Sequence, residues 1–118
     1  MTTIEQLMHA TLHEVFGERD DQRRRAAIAR VYATDVRFAD ADGVVTGRDA
    51  LDVKARGILA GAPGFVFTTD GPARVVQDLG YQAWGFGPQG QPPVVRGADI
   101  ALVAGGLITS LHTMLITG

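Results

Sequence analysis

The sequence predicts an α+β fold in which amino-terminal helices pack on one face of a curved, mostly antiparallel sheet. Three observations carry this. Apolar residues recur at helical spacing through the first half of the chain, whereas everything beyond Pro63 is β-rich and cut by Gly and Pro. The last two β-rich runs, Val94 to Val103 and Leu107 to Ile116, flank Ala104-Gly105-Gly106 as the arms of one long hairpin.

The elements follow in order. Ile4, Leu7, Met8, Thr11, Leu12, Val15 and Phe16 form the apolar stripe of one amphipathic helix, which Gly17 ends. Asp20 or Asp21 caps a second helix, with Ala27, Ile28, Val31 and Tyr32 inward and its arginines in water. A strand from Val36 to Asp40 is next, then an Asp42-Gly43 turn and a short return through Val44-Val45. A third helix starts near Arg48, buries Leu51, Ala55, Ile58 and Leu59, and stops at Gly61-Ala62-Pro63-Gly64. Strands are then expected at Phe65 to Thr69, Ala73 to Leu79 and Tyr81 to Phe86, ahead of the hairpin.

Length and composition fit a single domain over residues 1–118, since 118 residues with 46% hydrophobic content supply one core. Eleven basic against thirteen acidic residues give no global pull toward nucleic acid or an anionic membrane, and neither partner is expected. The run Arg23-Arg24-Arg25 follows Asp20-Asp21 and reads as a solvated helix start. Cysteine is absent, which removes disulfides, thiolate chemistry and Cys-ligated zinc. With no secretory-type leader and no apolar run of membrane-spanning length, a cytoplasmic protein is expected.

Alternation along Val36 to Asp40 puts Val36, Phe38 and Asp40 on one face, so a carboxylate ends an apolar face just before a turn. Asp40 would then line a pocket, or else only cap its turn, and Asp42 reads as a turn residue. His9 and His13 stand four apart beside Glu5, off the apolar stripe, so a solvent-facing pair is expected and no metal site. No Gly-rich loop joins a strand to a helix, and Ser110 lacks the glycine-flanked elbow of a nucleophile.

Several segments in this order resemble the cone-shaped nuclear transport factor 2-like superfamily, and within it the SnoaL-like polyketide cyclases and ketosteroid isomerases. They are Ala29 to Gly43, Gly47-Arg48-Asp49-Ala50-Leu51, Gly71-Pro72-Ala73-Arg74, and the closing hairpin from Arg96 to Leu115. The resemblance implies a strongly curved sheet enclosing a deep apolar pocket closed by the first helices, often with homodimerisation through the outer face of the sheet. Asp40 falls where ketosteroid isomerases keep their general base, and Asp99 where they keep a protonated acid donor; the plainer alternative for Asp99 is a bond to backbone or to Arg96. The tyrosine those isomerases use on the first helix is missing, and that neighbourhood offers Leu12, Val15 and Phe16. Tyr32 is the candidate to reach the cavity instead. Phe16, Phe38, Trp84, Phe86 and Leu111 complete the expected substrate-binding wall, with Phe65 and Phe67 sharing its aromatic character. Leu111, Thr113 and Leu115 turn inward in this family, so alternation puts His112 on the outer, interface face.

The function implied is a small-molecule protein, acting without a cofactor as an isomerase or cyclase that moves protons beside a carbonyl of a hydrophobic ring or polyketide-like substrate. Such chemistry needs a base for a carbon-bound proton and a donor for the enolate oxygen. The competing reading is a ligand-binding or dimeric adaptor module of the same fold. Epoxide hydrolysis would need Arg96 and Asp99 on one strand face, and their spacing of three opposes that.

Overall fold

In the computed structural model, which describes residues 2–117, the first helix α1 covers Ile4–Ala10 and continues directly as a π-helical segment, Thr11–Phe16. Thr3 starts it with a capping box. Its Oγ1 accepts from the Gln6 amide at 3.1 Å, and the Gln6 Oε1 accepts from the Thr3 amide at 2.8 Å. The apolar stripe is buried as expected, but the single α-helix is not what forms. The wider π turn divides the stripe, so Leu12 joins Leu59, Trp84 and Phe86 while Val15 and Phe16 pack with Leu7 and Met8.

Helix α2 (Asp21–Val31) is capped by Asp20, whose Oδ2 accepts from the Arg23 amide at 2.8 Å. Not all its arginines stay in water. Arg24 shares a face with Ala27, Ile28 and Val31 and is 1% exposed. Its guanidinium donates to Asp52 Oδ1 at 2.7 Å, to the Glu18 carbonyl at 2.9 Å and to Asp21, while Arg25 adds a 3.2 Å bond to Asp52 Oδ2. Burial opposes charge on Asp52, but the bonds from Arg24 and then Arg25 outweigh it and hold this carboxyl below its usual range. That cluster ties α2 to α3 (Arg48–Ala60). Two further arginines satisfy carbonyls at helix ends: Arg48 bonds those of Tyr32 and Ala29, and Arg19 those of Leu59, Ala62 and Phe65.

The strands are β1 (Tyr32–Asp40), β2 (Gly43–Thr46), β3 (Phe65–Thr69), β4 (Arg74–Val76), β5 (Leu79–Pro88), β6 (Val95–Ala104) and β7 (Leu107–Thr117). They form one sheet ordered β2-β1-β7-β6-β5-β3, with β4 paired to β5. All pairings are antiparallel except β1 with β7, which sets Phe38 beside Leu111. Register shifts between Arg96 and Gly97 and between Leu102 and Val103 bend the long hairpin, and the sheet curls without closing. Helix α1 rests against β5 at Gly80, where a Cβ would come 2.7 Å from Ile4 and 2.8 Å from Met8. The helices therefore sit on the concave face, and the main core fills the space between them and β1, β6 and β7.

Candidate functional site

The curl leaves a cavity of ≈ 280 Å³ between α3, the end of the π-helical segment and the strands β1, β3, β5, β6 and β7. Its wall is mostly aromatic. The Phe67 and Phe86 rings stack at 4.1 Å, Trp84 meets Phe67 edge-on at 5.3 Å, and Phe16 stacks on Phe38 at 5.5 Å. Ile58, Val95 and Leu115 add aliphatic surface, and the exposed Ala41, Asp42 and Leu115 stand at the mouth.

Asp99 is the polar group at the back. Strand β6 places it directly across from Thr113 on β7, and the indole of Trp84 arrives from β5. That indole lies over Gly97, where a Cβ would fall 2.4 Å from its ring, so only glycine leaves room for it. Trp84 Nε1–H donates to Asp99 Oδ1 at 3.0 Å, and the Thr113 hydroxyl donates to the same oxygen at 2.9 Å. Among the described residues no hydrogen bond reaches Oδ2 of Asp99. The residue is 4% exposed, and burial pushes its carboxyl up to about 6 against the bonds from Thr113 and Trp84.

Asp40 borders the same cavity at its other end and has both oxygens engaged. Oδ1 accepts the Asp42 amide at 2.9 Å, the turn-capping geometry open to it in the sequence, and Oδ2 pairs with Lys54 Nζ at 2.8 Å. Lys54 also bonds Asp42 Oδ2 at 2.9 Å, and Asp40, followed by Asp42, holds its ammonium above the usual range. Helix α3 carries Lys54 three residues after Leu51 and four before Ile58, on the edge of its apolar face.

Asp40, Asp99, Phe16, Phe38, Trp84 and Phe86 are thus brought to one cavity, and two other candidates are not. Tyr32 and Leu111 are fully buried in the core behind the wall and outside its lining. The Tyr32 hydroxyl donates to Thr11 Oγ1 at 3.0 Å, and burial first, with the charge of Asp99 adding to it, holds this phenol well above its ordinary range. Tyr32 sits there because it leaves α2 at the first position of β1, where the chain still packs under the helices. Lys54, by contrast, has no motif, and its helical spacing from Leu51 and Ile58 was the signal available.

His9 is exposed and its ring centroid lies 4.5 Å from that of His13, whose imidazole is pushed down by burial and then by His9. Among the described residues no group of three or more His, Cys, Asp or Glu is placed to hold a metal ion. Among them too, no helix is long and apolar enough to cross a membrane.

No protein-family model matches the chain, and no curated protein does either. Solved structures do. A protein of Agrobacterium tumefaciens strain C58 assigned to the isomerases of the SnoaL-like family superposes with a TM-score of 0.88 at 20% identity, over 98% of each chain. A SnoaL-like polyketide cyclase assignment from Jannaschia sp. CCS1 gives 0.72 at 15% identity, over 98% of this chain and 90% of that one. A nuclear transport factor 2-like protein of Cytophaga hutchinsonii gives 0.71 at 13%, over 98% and 91%.

The fold is that of the nuclear transport factor 2-like superfamily. At these identities the likeness fixes the architecture alone, and the chemistry of the chain rests on its own cavity.

Proposed function

We propose that the cavity takes a hydrophobic ring or polyketide-like molecule and moves a proton beside its carbonyl without a cofactor, with Asp99 as the group that exchanges the proton. The observation that carries this is the state of that carboxyl. Both its donors sit on Oδ1, its second oxygen takes no bond among the described residues, and burial brings its titration to about 6, nearer neutrality, where a general base is matched to its task. Asp40, whose two oxygens are spent on Lys54 and the Asp42 amide, is assigned to the polar rim rather than to the base role implied for it by the ketosteroid isomerases. Among the lining residues Lys54 is the cationic group, and with two of its three N–H donors on aspartates it keeps one to offer to an enolate oxygen.

The test is solvent-deuterium exchange at the carbon beside the carbonyl of a β,γ-unsaturated cyclic ketone, followed by NMR. The expected exchange rises as pH passes about 6, and Asp99→Asn lowers it by roughly 10²- to 10⁴-fold. A rate unchanged in that variant removes Asp99 from the mechanism.

The second reading is a ligand-binding or dimeric module of the same fold, favoured by the engaged oxygens of Asp40 and by the seclusion of Tyr32. Binding of such ketones without exchange would establish it. Homodimerisation through the outer sheet face belongs to either reading; exposed Leu102, Met114 and Ile116, with exposed His112, support it.

A further inference from the structure

The aromatic wall accounts for the shape of a ligand and leaves its charge open. Four titratable side chains face the cavity among the described residues, and they do not balance: the carboxylates of Asp40, Asp42 and Asp99 stand against the single ammonium of Lys54. Lys54 is already shared between Asp40 and Asp42 at 2.8 and 2.9 Å, so its charge is spent on the rim. Among the described residues Asp99 has no cationic partner; its donors are the neutral Trp84 indole and Thr113 hydroxyl. Arg96, three residues before it on β6, does not help, because it is exposed and does not line the cavity. A net negative field in a low-dielectric, mostly apolar hollow is felt more strongly by a bound charge than it would be in water.

Resting on the proposed ligand-binding role of the cavity, we infer that this site selects its ligand by charge: it accepts an apolar ring that carries a basic nitrogen and turns away the same ring carrying a carboxylate. An ammonium group on the ring can stop at the mouth beside the exposed Asp42, whose Oδ1 takes no bond among the described residues, and stay partly hydrated while the ring fills the aromatic interior. A carboxylate has no such place. At the mouth it meets Asp40 and Asp42, at the back it meets Asp99, and the one lysine there has its charge already answered by two aspartates, with a single N–H left to offer.

The chain contains a single tryptophan, and it lies in this wall, so its indole resonance and fluorescence report occupancy without a label. Three non-fluorescent probes share one cage and differ in charge: adamantane-methylamine, adamantane-methanol and adamantane-carboxylate. They are titrated into the full chain at about pH 8, above the value of about 6 at which Asp99 titrates, following the Trp84 Nε1–H cross-peak. The expected result is an amine that binds at least roughly tenfold tighter than the carboxylate, with the alcohol between or near the amine. Asp42→Asn, at an exposed side chain, and Asp99→Asn should each narrow that ratio severalfold, the first through the mouth and the second through the interior. Equal binding of amine and carboxylate, or a ratio that neither substitution moves, overturns the charge filter while leaving the cavity a binding site. If none of the three probes perturbs Trp84, the cavity is no ligand site and both readings fall.

Discussion

Replacing Asp99 by Asn should make the protein more stable at neutral pH. The reasoning begins with the position of the carboxyl, 4% exposed and titrating at about 6 against an unperturbed 3.8. The sign follows from which state holds the proton. Between those two values the folded protein keeps the Asp99 proton while the unfolded chain has released it, so stability falls as pH rises through this window and the loss is complete above about 6. A gap of about two pH units at 1.36 kcal/mol each corresponds to about 3 kcal/mol at pH 7. Asn has nearly the same shape, keeps an oxygen for the Trp84 and Thr113 donors, and carries no charge to bury. The Asn variant should therefore gain about 3 kcal/mol at neutral pH, or roughly 10 °C in Tm, and no advantage at about pH 2.5, where Asp99 is protonated in both states. Urea unfolding of the two proteins at several pH values measures this directly, since every other titrating group is common to both. A variant less stable than the parent at pH 7, or an advantage of the same size at both ends of the range, would refute the account of Asp99 as an ionised carboxylate held at the expense of stability.

Two further perturbations probe the support of the site. Arg24→Met removes the main partner of a nearly buried Asp52 and should lower stability by about 3–5 kcal/mol; because Asp52 is held below its usual range, its contribution is present at neutral pH and is lost as pH falls through the folded value, so the deficit should shrink in acid. Urea midpoints at pH 7 and at low pH read both effects, and a deficit that grows in acid would contradict the pairing. Gly97→Ala drives a methyl to 2.4 Å from the Trp84 ring and should cost about 1–3 kcal/mol while shifting the indole Nε1–H resonance as its bond to Asp99 is displaced; an unmoved resonance would show that the indole does not rest on that glycine.

The order of helices and strands was legible in the sequence because each element has its own period and its own punctuation. Asp20, Gly17 and the Gly61 to Gly64 segment stop or start helices by local chemistry alone, and the Gly105-Gly106 turn does the same for the hairpin. What escaped depends on distances that periodicity does not encode. The π-helical segment accompanies the division of Leu12 and Phe16 between two clusters, and no residue type announces it. Arg24 was assigned to water by its charge although it sits on the stripe of Ala27, Ile28 and Val31; only its meeting with Asp52, twenty-eight residues away, makes burial possible. Alternation put Asp40 on an apolar face and the family resemblance set Asp99 with it, but neither could show that Lys54 occupies Asp40 and leaves Asp99 without a cation among the lining residues.

That contrast bears on why the chain keeps an acid at position 99. A structural explanation would rest on the two hydrogen bonds at Oδ1, which pin Trp84 and the β6–β7 pairing. Those bonds need an acceptor oxygen and nothing more, and an asparagine supplies one without burying a charge. Asp40 and Asp52 are different: each answers a cation, and neutralising either would take a carboxylate partner from a lysine or an arginine. Asp99 alone among the three spends stability on ionisation with no charge to balance it, in a hollow whose other walls are apolar. Departures from local consistency of this kind are expected where a side chain acts on something other than the fold. Asp99 lines that hollow with its Oδ2 unbonded among the described residues, which makes the cavity, and within it Asp99 rather than Asp40, the site at which chemistry should first be sought.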